Sequence, residues 1–94
     1  MRVCKVIGSV VSTVKSDGLT GTKLLVVAPP EGGAPNDPIV AVDAVGAGRG
    51  EIVLVVTGGA ARILPEFRNA PVDAVIVAIV DRLESDGWTS YEKD

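Results

Sequence analysis

The sequence predicts an all-β protein, a small barrel of five strands with one short helix. Short runs rich in β-branched residues alternate with glycine and proline clusters, which is typical of strands and turns. Hydrophobic residues make up 47% of the 94 residues but aromatic ones only 3%, so Val, Ile, Leu and Ala must form the core. The strands are apolar on both faces, whereas a half-buried strand alternates apolar with polar residues.

The chain is organised around residues 40–56, which read as two aliphatic strands joined by a glycine-rich turn. Three glycines recur there at every second position: Gly46, Gly48 and Gly50. Glycine is favoured where the backbone needs a positive φ or approaches another surface closely. Arg49 and Glu51 are the only charges at the end of this loop, so we expect both at its tip and the function of the protein nearby.

The remaining elements follow in order. The pattern predicts five strands, at Val3–Val14, Lys23–Ala28, Ile39–Val45, Ile52–Thr57 and Val72–Val80. Gly8 indicates a bend or bulge in the first of them. Gly58–Leu64 is the one segment that predicts a helix, of one or two turns. We expect a single domain over residues 1–83 and a polar C-terminal tail over residues 84–94.

The fifth predicted strand illustrates the two apolar faces. One face would carry Ala74, Ile76, Ala78 and Val80, and the other Val75, Val77 and Ile79. One short helix is too little to cover the outer face, and aliphatic surface left in water favours association. The residues therefore predict an obligate homo-oligomer, in which copies of the chain bury the outer face of the barrel.

Composition excludes several classes of protein. The net charge of −3 does not favour binding to nucleic acid or to an anionic membrane, since both are negatively charged. No apolar run reaches the ~18 residues of a membrane helix, so we expect a cytoplasmic protein. The chain has no histidine and a single cysteine, Cys4, which fits a reducing compartment. We interpret Cys4 as a small buried hydrophobic residue, since no histidine could activate it.

Candidate sites for chemistry are few. Asp43 and Asp73 could form an acid/base pair, but we expect each to accept hydrogen bonds from the backbone or an arginine. The loop Gly46–Glu51 lacks both the dinucleotide and the P-loop spacing. We therefore predict no catalytic residues, no metal and no cofactor. A small-molecule or nucleotide-binding module that uses this loop remains the alternative.

Two further features leave alternatives open. Five-stranded barrels also bind single-stranded nucleic acid, but through basic grooves and aromatic platforms, and the predicted strands carry no aromatic residue.

Trp88 and Tyr91 lie in the otherwise polar tail. The tail is either a loosely ordered terminus or is anchored by these two residues on a neighbouring subunit.

An ordered set of motifs resembles the pentameric vertex proteins of bacterial microcompartment shells, which include the ethanolamine-utilisation and carboxysome vertex proteins. The motifs run from the first strand to Asp81: Val6-Ile7-Gly8 with Thr13 and Lys15, Gly21 with Lys23-Leu24-Leu25, Val40-Ala41-Val42-Asp43, Gly46-Ala47-Gly48-Arg49-Gly50-Glu51 with Val53-Leu54-Val55, Gly58 with Ala60-Ala61-Arg62, Pro71-Val72-Asp73 and Ile79-Val80-Asp81.

The resemblance implies an oligonucleotide/oligosaccharide-binding (OB)-like barrel that assembles as a cyclic pentamer and closes the five-fold vertices of a polyhedral shell. The partners would be other copies of the chain and hexameric shell proteins, in the cytoplasm. The loop of Gly46, Ala47, Gly48, Arg49, Gly50 and Glu51 would then lie at a subunit contact or near the central axis. Arg49 would pair with a carboxylate of the next subunit.

Overall fold

A computed structural model describes residues 1–13, 15–19, 21–30, 38–63, 65, 72–85 and 88–93, with the side chains of residues 62, 85 and 88–91 outside the description. Five strands close into a barrel in the order β1-β2-β3-β5-β4. They are β1 (Arg2–Ser9), β2 (Leu24–Ala28), β3 (Ile39–Asp43), β4 (Ile52–Thr57) and β5 (Ala74–Ile79). Neighbouring strands are antiparallel except β3 and β5, which are parallel. The predicted all-β, five-stranded barrel is confirmed.

Short 3₁₀-helices lie outside the barrel, and two of them have bounds within the described residues. The predicted helix at Gly58–Leu64 is a 3₁₀-helix over Gly58–Arg62, while Leu64 lies outside the described residues. A second one, at Asp17–Leu19, was not predicted. No helix among the described residues has the length and apolar character that a membrane span requires.

The barrel encloses the larger of two buried clusters. Its interior is filled by small and aliphatic side chains, namely Cys4, Val6, Leu25, Val27, Ala41, Ala47, Val53, Val55, Ala74 and Ile76. Cys4 is buried, as the sequence predicted. Burial of Cys4 raises the pKa of its thiol, and the charge of Arg2 opposes that shift. The thiol is therefore a packing group at neutral pH.

The second cluster lies on the outer face of β3, β4 and β5. Val42, Val75, Ala61 and Val72 are its buried members, and Leu19, Leu24, Val56 and Val77 pack against it. Leu19 and Ala61 come from the two 3₁₀-helices. The chain therefore covers part of its own outer face, whereas the sequence predicted that copies of the chain would have to cover it.

Two bulges interrupt the alternation of faces. The pairing of β1 with β2 shifts between Val6 and Gly8, which confirms the bulge predicted at Gly8. The pairing of β4 with β5 passes from Ala78 to Ile76 and leaves Val77 as the extra residue. Ile79 thus packs on the interior cluster with Ala74 and Ile76, so the predicted face of Ala74, Ile76, Ala78 and Val80 is wrong.

Several strands are shorter than predicted. β1 ends at Ser9, and Val10 and Val11 are exposed beyond it. β3 ends at Asp43, because the Asp43 carboxylate accepts hydrogen bonds from backbone N–H groups that follow it in the chain. β5 begins at Ala74 instead of residue 72. Only β4 has the predicted bounds.

The chain continues past β5 into an antiparallel hairpin of β6 (Arg82–Ser85) and β7 (Trp88–Glu92). The predicted tail, residues 84–94, contributes β7 and the end of β6. This hairpin forms a sheet of its own and does not extend the barrel. A backbone hydrogen bond from the Lys93 N–H to the Asp81 carbonyl closes its base.

Candidate functional site

The glycine loop, residues 44–51, joins β3 to β4 and closes one end of the barrel. β1, β3 and β5 end there, and β2 and β4 begin there. Ala47 in the middle of the loop is fully buried among the interior side chains. The loop therefore acts as the plug of the barrel, with the small side chain of Ala47 in the interior.

Asp43 holds the first half of this loop. One carboxylate oxygen, Oδ1, accepts hydrogen bonds from the N–H groups of Val45, Gly46 and Ala47 at 3.0, 3.1 and 3.1 Å. The side chain of Asp43 is only 3% exposed. A buried carboxylate requires such partners. The prediction that Asp43 accepts hydrogen bonds from the backbone is confirmed.

Lys23 is the cation beside Asp43. Its ammonium group donates a 2.9 Å hydrogen bond to the Ala47 carbonyl and lies 3.9 Å from Oδ2 of Asp43. The lysine, and not the expected arginine, thus balances the buried carboxylate. Asp73, predicted at a strand position among apolar neighbours, instead precedes β5 and is exposed. The two aspartates therefore have different environments.

Glu51 holds the second half of the loop. Its Oε1 accepts a 2.6 Å hydrogen bond from the Gly48 N–H, and its Oε2 lies 2.6 Å from the Lys93 ammonium. The hydrogen bonds from Lys93 and then from Gly48 lower the pKa of Glu51. The prediction that Glu51 lies at the tip of the loop is wrong, because the side chain folds back. Arg49 is exposed and pairs with none of the described carboxylates.

Two glycines give the loop its path. Gly46 and Gly50 have φ angles of 83° and 90°, a region that residues with a Cβ rarely adopt. The Gly50 N–H donates to the Val6 carbonyl at 2.8 Å, and the Val6 N–H donates to the Glu51 carbonyl at 3.0 Å. These bonds attach the end of the loop to β1.

The loop has little capacity for chemistry. Four of its N–H groups, the donors that could surround a phosphate, already bind the carboxylates of Asp43 and Glu51. Within the described parts of the chain, no three acidic, cysteine or histidine side chains come together in a potential metal site. The arrangement is that of a hydrogen-bonded structural closure of the barrel.

Residues 1–81 match the family model described as "Ethanolamine utilisation protein EutN/carboxysome". The chain belongs to this family. It is 43% identical to the carboxysome shell vertex protein CcmL of Thermosynechococcus vestitus over 99% of the chain and 96% of that protein. It is 47% identical to the microcompartment shell vertex protein GrpN of Rhodospirillum rubrum over 90% of the chain and 98% of GrpN. The family predicted from the sequence is confirmed.

Solved structures of EutN/CcmL proteins have the same fold. The structure of CcmL from Gloeobacter violaceus superimposes with a TM-score of 0.90, at 39% identity over 99% of this chain and 98% of that one. The structure titled "GrpN pentameric microcompartment shell protein from Rhodospirillum rubrum" superimposes with a TM-score of 0.75, at 47% identity over 90% of this chain and 98% of that one. The barrel of this EutN/CcmL chain is thus the family's barrel.

Within this EutN/CcmL chain, the predicted loop residues divide into two groups. Ala47 is buried, and the Glu51 carboxylate accepts hydrogen bonds from Gly48 and Lys93. Arg49 and Gly50 are exposed. The side chains of Trp88 and Tyr91, predicted as tail anchors, lie outside the described part of the structure. Sequence reasoning missed two residues of the site: Lys23 and Lys93. Both reach the loop across the fold, and no local spacing signals such contacts.

Proposed function

We propose that this chain is a structural subunit that forms cyclic pentamers and caps the five-fold vertices of a polyhedral bacterial microcompartment shell. A flat sheet of hexagons cannot close without pentagons, and a head-to-tail contact repeated round a five-fold axis supplies them. The observation that carries the proposal is the relation to GrpN, whose structure is titled pentameric and matches this chain at 47% identity.

The surface of the barrel supports the same proposal. The five strands close into a barrel, so each strand pairs with two neighbours within one chain. Apolar side chains nevertheless remain exposed on its outer face, among them Ile7 and Val40. Such surface is typical of subunit contacts.

The alternative function, a small-molecule or nucleotide-binding module, finds no support in the loop. A phosphate would have to displace the Asp43 carboxylate, which lies almost entirely buried against three N–H groups. The Lys23 ammonium is already engaged by the Ala47 carbonyl and lies 3.9 Å from the Asp43 carboxylate. The loop thus favours a structural role without catalysis or cofactor.

The proposed partners are further copies of this chain and the hexameric shell proteins that surround a vertex. The place of action would be the shell of the microcompartment, inside the cell. Neither nucleic acid nor membrane is a proposed partner, because the chain carries a net charge of −3 and few aromatic residues.

Native mass spectrometry over a range of concentrations tests the pentamer. We expect one species of five times the chain mass that persists on dilution without any ligand. A monomer would contradict the proposal. Co-expression with hexameric shell proteins tests the vertex role: closed polyhedra should form with this chain, and open sheets or tubes without it. Closed polyhedra in both cases would contradict that role.

A further inference from the structure

Three apolar residues form a continuous row on the outer face of β1, β2 and β3. Gly8 pairs with Val26, Val26 pairs with Val40, and Ile7 is the bulged residue next to Gly8. Ile7 and Val40 are 42% and 48% exposed, and Val26 is half-buried. None of the three belongs to either buried cluster. We call Ile7, Val26 and Val40 the outer row.

The hairpin of β6 and β7 has two unlike faces. Leu83 pairs with Tyr91 and Ser85 pairs with Trp88, so Ser90 is the extra residue of a bulge. Residues directly opposite each other share a face, as do residues two apart on one strand. The register therefore puts positions 83, 85, 88 and 91 on one face, and all of them except Ser85 are apolar or aromatic.

The other face of the hairpin is charged. Arg82 pairs with Glu92 and lies on the same face as Glu84, with which it forms a 3.1 Å ion pair. These three residues line an open hollow together with Leu54 and Ile79 of the barrel. Arg82, Glu84 and Glu92 thus lie on the side of the hairpin nearest the chain's own barrel, and the register assigns positions 83, 88 and 91 to the opposite face.

A two-stranded hairpin by itself is only marginally stable in water and needs packing against another surface. Its own barrel is closed and offers no edge strand. β7 carries two of the three aromatic residues of the chain, and Trp and Tyr are the residue types that dominate subunit contacts. The hairpin therefore has the character of an arm that completes its packing elsewhere.

We propose that, in the ring, the face of the hairpin that carries Leu83, Trp88 and Tyr91 packs on the outer row of the next subunit. A cyclic ring uses a head-to-tail interface, in which two different surfaces of the chain meet. The hairpin face and the outer row are two such surfaces, one on either side of the contact. This inference rests on the proposed pentamer and names the surfaces that build it.

Two variants of the full chain test this contact. The row variant combines Ile7→Glu with Val40→Glu, and the arm variant combines Trp88→Ala with Tyr91→Ala. Each damages one side of the contact and leaves the other intact. We expect either variant to raise the concentration at which the ring dissociates by about a hundredfold, as burial of two apolar side chains would predict. Ile63→Glu, at a 76% exposed position after Arg62, is the matched control and should leave the ring intact.

Mixing the two variants gives the decisive measurement. A row variant still has its arm and an arm variant still has its row, so one intact contact can form between them and none beyond it. We expect a species of two chains in the mixture by native mass spectrometry, while each variant alone is monomeric. Far-UV circular dichroism checks that both are folded. If either pair of substitutions unfolds the chain, the milder Val40→Thr and Tyr91→Ala take their place, with a smaller shift in the same direction expected.

The outcomes separate this inference from the function on which it rests. A wild-type chain that forms no ring overturns the proposed pentamer. If the wild-type chain forms a ring, and the rings of the row or arm variant resist dilution as well as the wild-type ring does, only the proposed contact is overturned. Folded variants that stay monomeric when mixed also overturn the contact, because then the two surfaces do not face each other.

Discussion

The Oε2 atom of Glu51 lies 2.6 Å from the ammonium nitrogen of Lys93, so the end of the glycine loop is tied to the end of the hairpin. The same carboxylate accepts the Gly48 N–H through its other oxygen. Glu51 therefore connects the plug of the barrel with the base of the arm. Disturbing it should affect the stability of both.

Acid should weaken this connection. The pKa of Glu51 lies below its ordinary value of 4.5, first because of the hydrogen bond from Lys93. A carboxyl whose pKa is lower in the folded state stabilises the fold above its ordinary pKa, and that contribution is lost as the pH falls through the folded value. We expect the free energy of unfolding to decline as the pH falls below the ordinary pKa of a glutamate, and to decline less in Glu51→Gln.

Urea unfolding at a series of pH values measures this effect. Lys93→Met removes the largest cause of the shift and should flatten the pH dependence in the same direction as Glu51→Gln. An identical pH dependence in wild type and Glu51→Gln would contradict the role assigned to this carboxyl.

Asp43 should be the most sensitive single position of the loop. Asp43→Ala leaves three N–H groups without their acceptor, and each buried unpaired donor costs about 1–3 kcal/mol. Because water can reach part of the loop, we expect a loss of about 3 kcal/mol in the free energy of unfolding. Asp43→Asn keeps one acceptor oxygen and should lose less.

The matched control is Asp73→Ala, an exposed aspartate that the sequence placed in the same class as Asp43. It should change the free energy of unfolding by no more than about 0.5 kcal/mol. Equal losses at both positions, measured by urea unfolding at one protein concentration, would contradict the assigned difference.

The glycines of the loop should differ in their tolerance of a side chain. Gly46→Ala and Gly50→Ala each force an L-residue into a positive φ, which costs about 1 kcal/mol or more. Neither added Cβ would meet another atom within 4 Å, so the cost comes from the backbone alone. Gly59→Ala, at an ordinary φ with open space, serves as the control and should be near neutral in thermal unfolding. A loss at Gly59 as large as at Gly46 would contradict this distinction.

The sequence identified what local patterns determine. β4 lies between Gly50 and Gly58 and consists of apolar residues with one threonine, so both of its ends were visible. The end of β3 was missed because Asp43 binds N–H groups that a strand pattern assigns to the sheet. The bulge at Val77 could not be predicted from the sequence pattern, since every neighbouring residue is apolar and fits either face of the strand.

Long-range contacts account for the remaining misses. Lys23 reaches the loop from just before β2, and Lys93 reaches it from the end of the hairpin. Nothing in the spacing of the chain relates them to Glu51 or Asp43. The hairpin itself was predicted as a polar tail because most of its residues are polar or charged, and the extra residue Ser90 also disrupts the alternation of β7. Its apolar face becomes evident only from the register.

Arg49 provides the last prediction. It is exposed at the turn of the plug, and none of the described carboxylates of its own chain pairs with it. If it pairs with a carboxylate of the next subunit, Arg49→Glu replaces an attraction by a repulsion at each of the repeated contacts of the ring. We expect rings that dissociate at higher protein concentration than wild type, and that do so more readily at low salt, where repulsion is screened least. Lys15→Glu, which reverses an exposed charge in the segment between β1 and β2, is the control. Native mass spectrometry over a dilution series measures both, and Arg49→Glu rings as stable as wild type would place Arg49 away from the subunit contact.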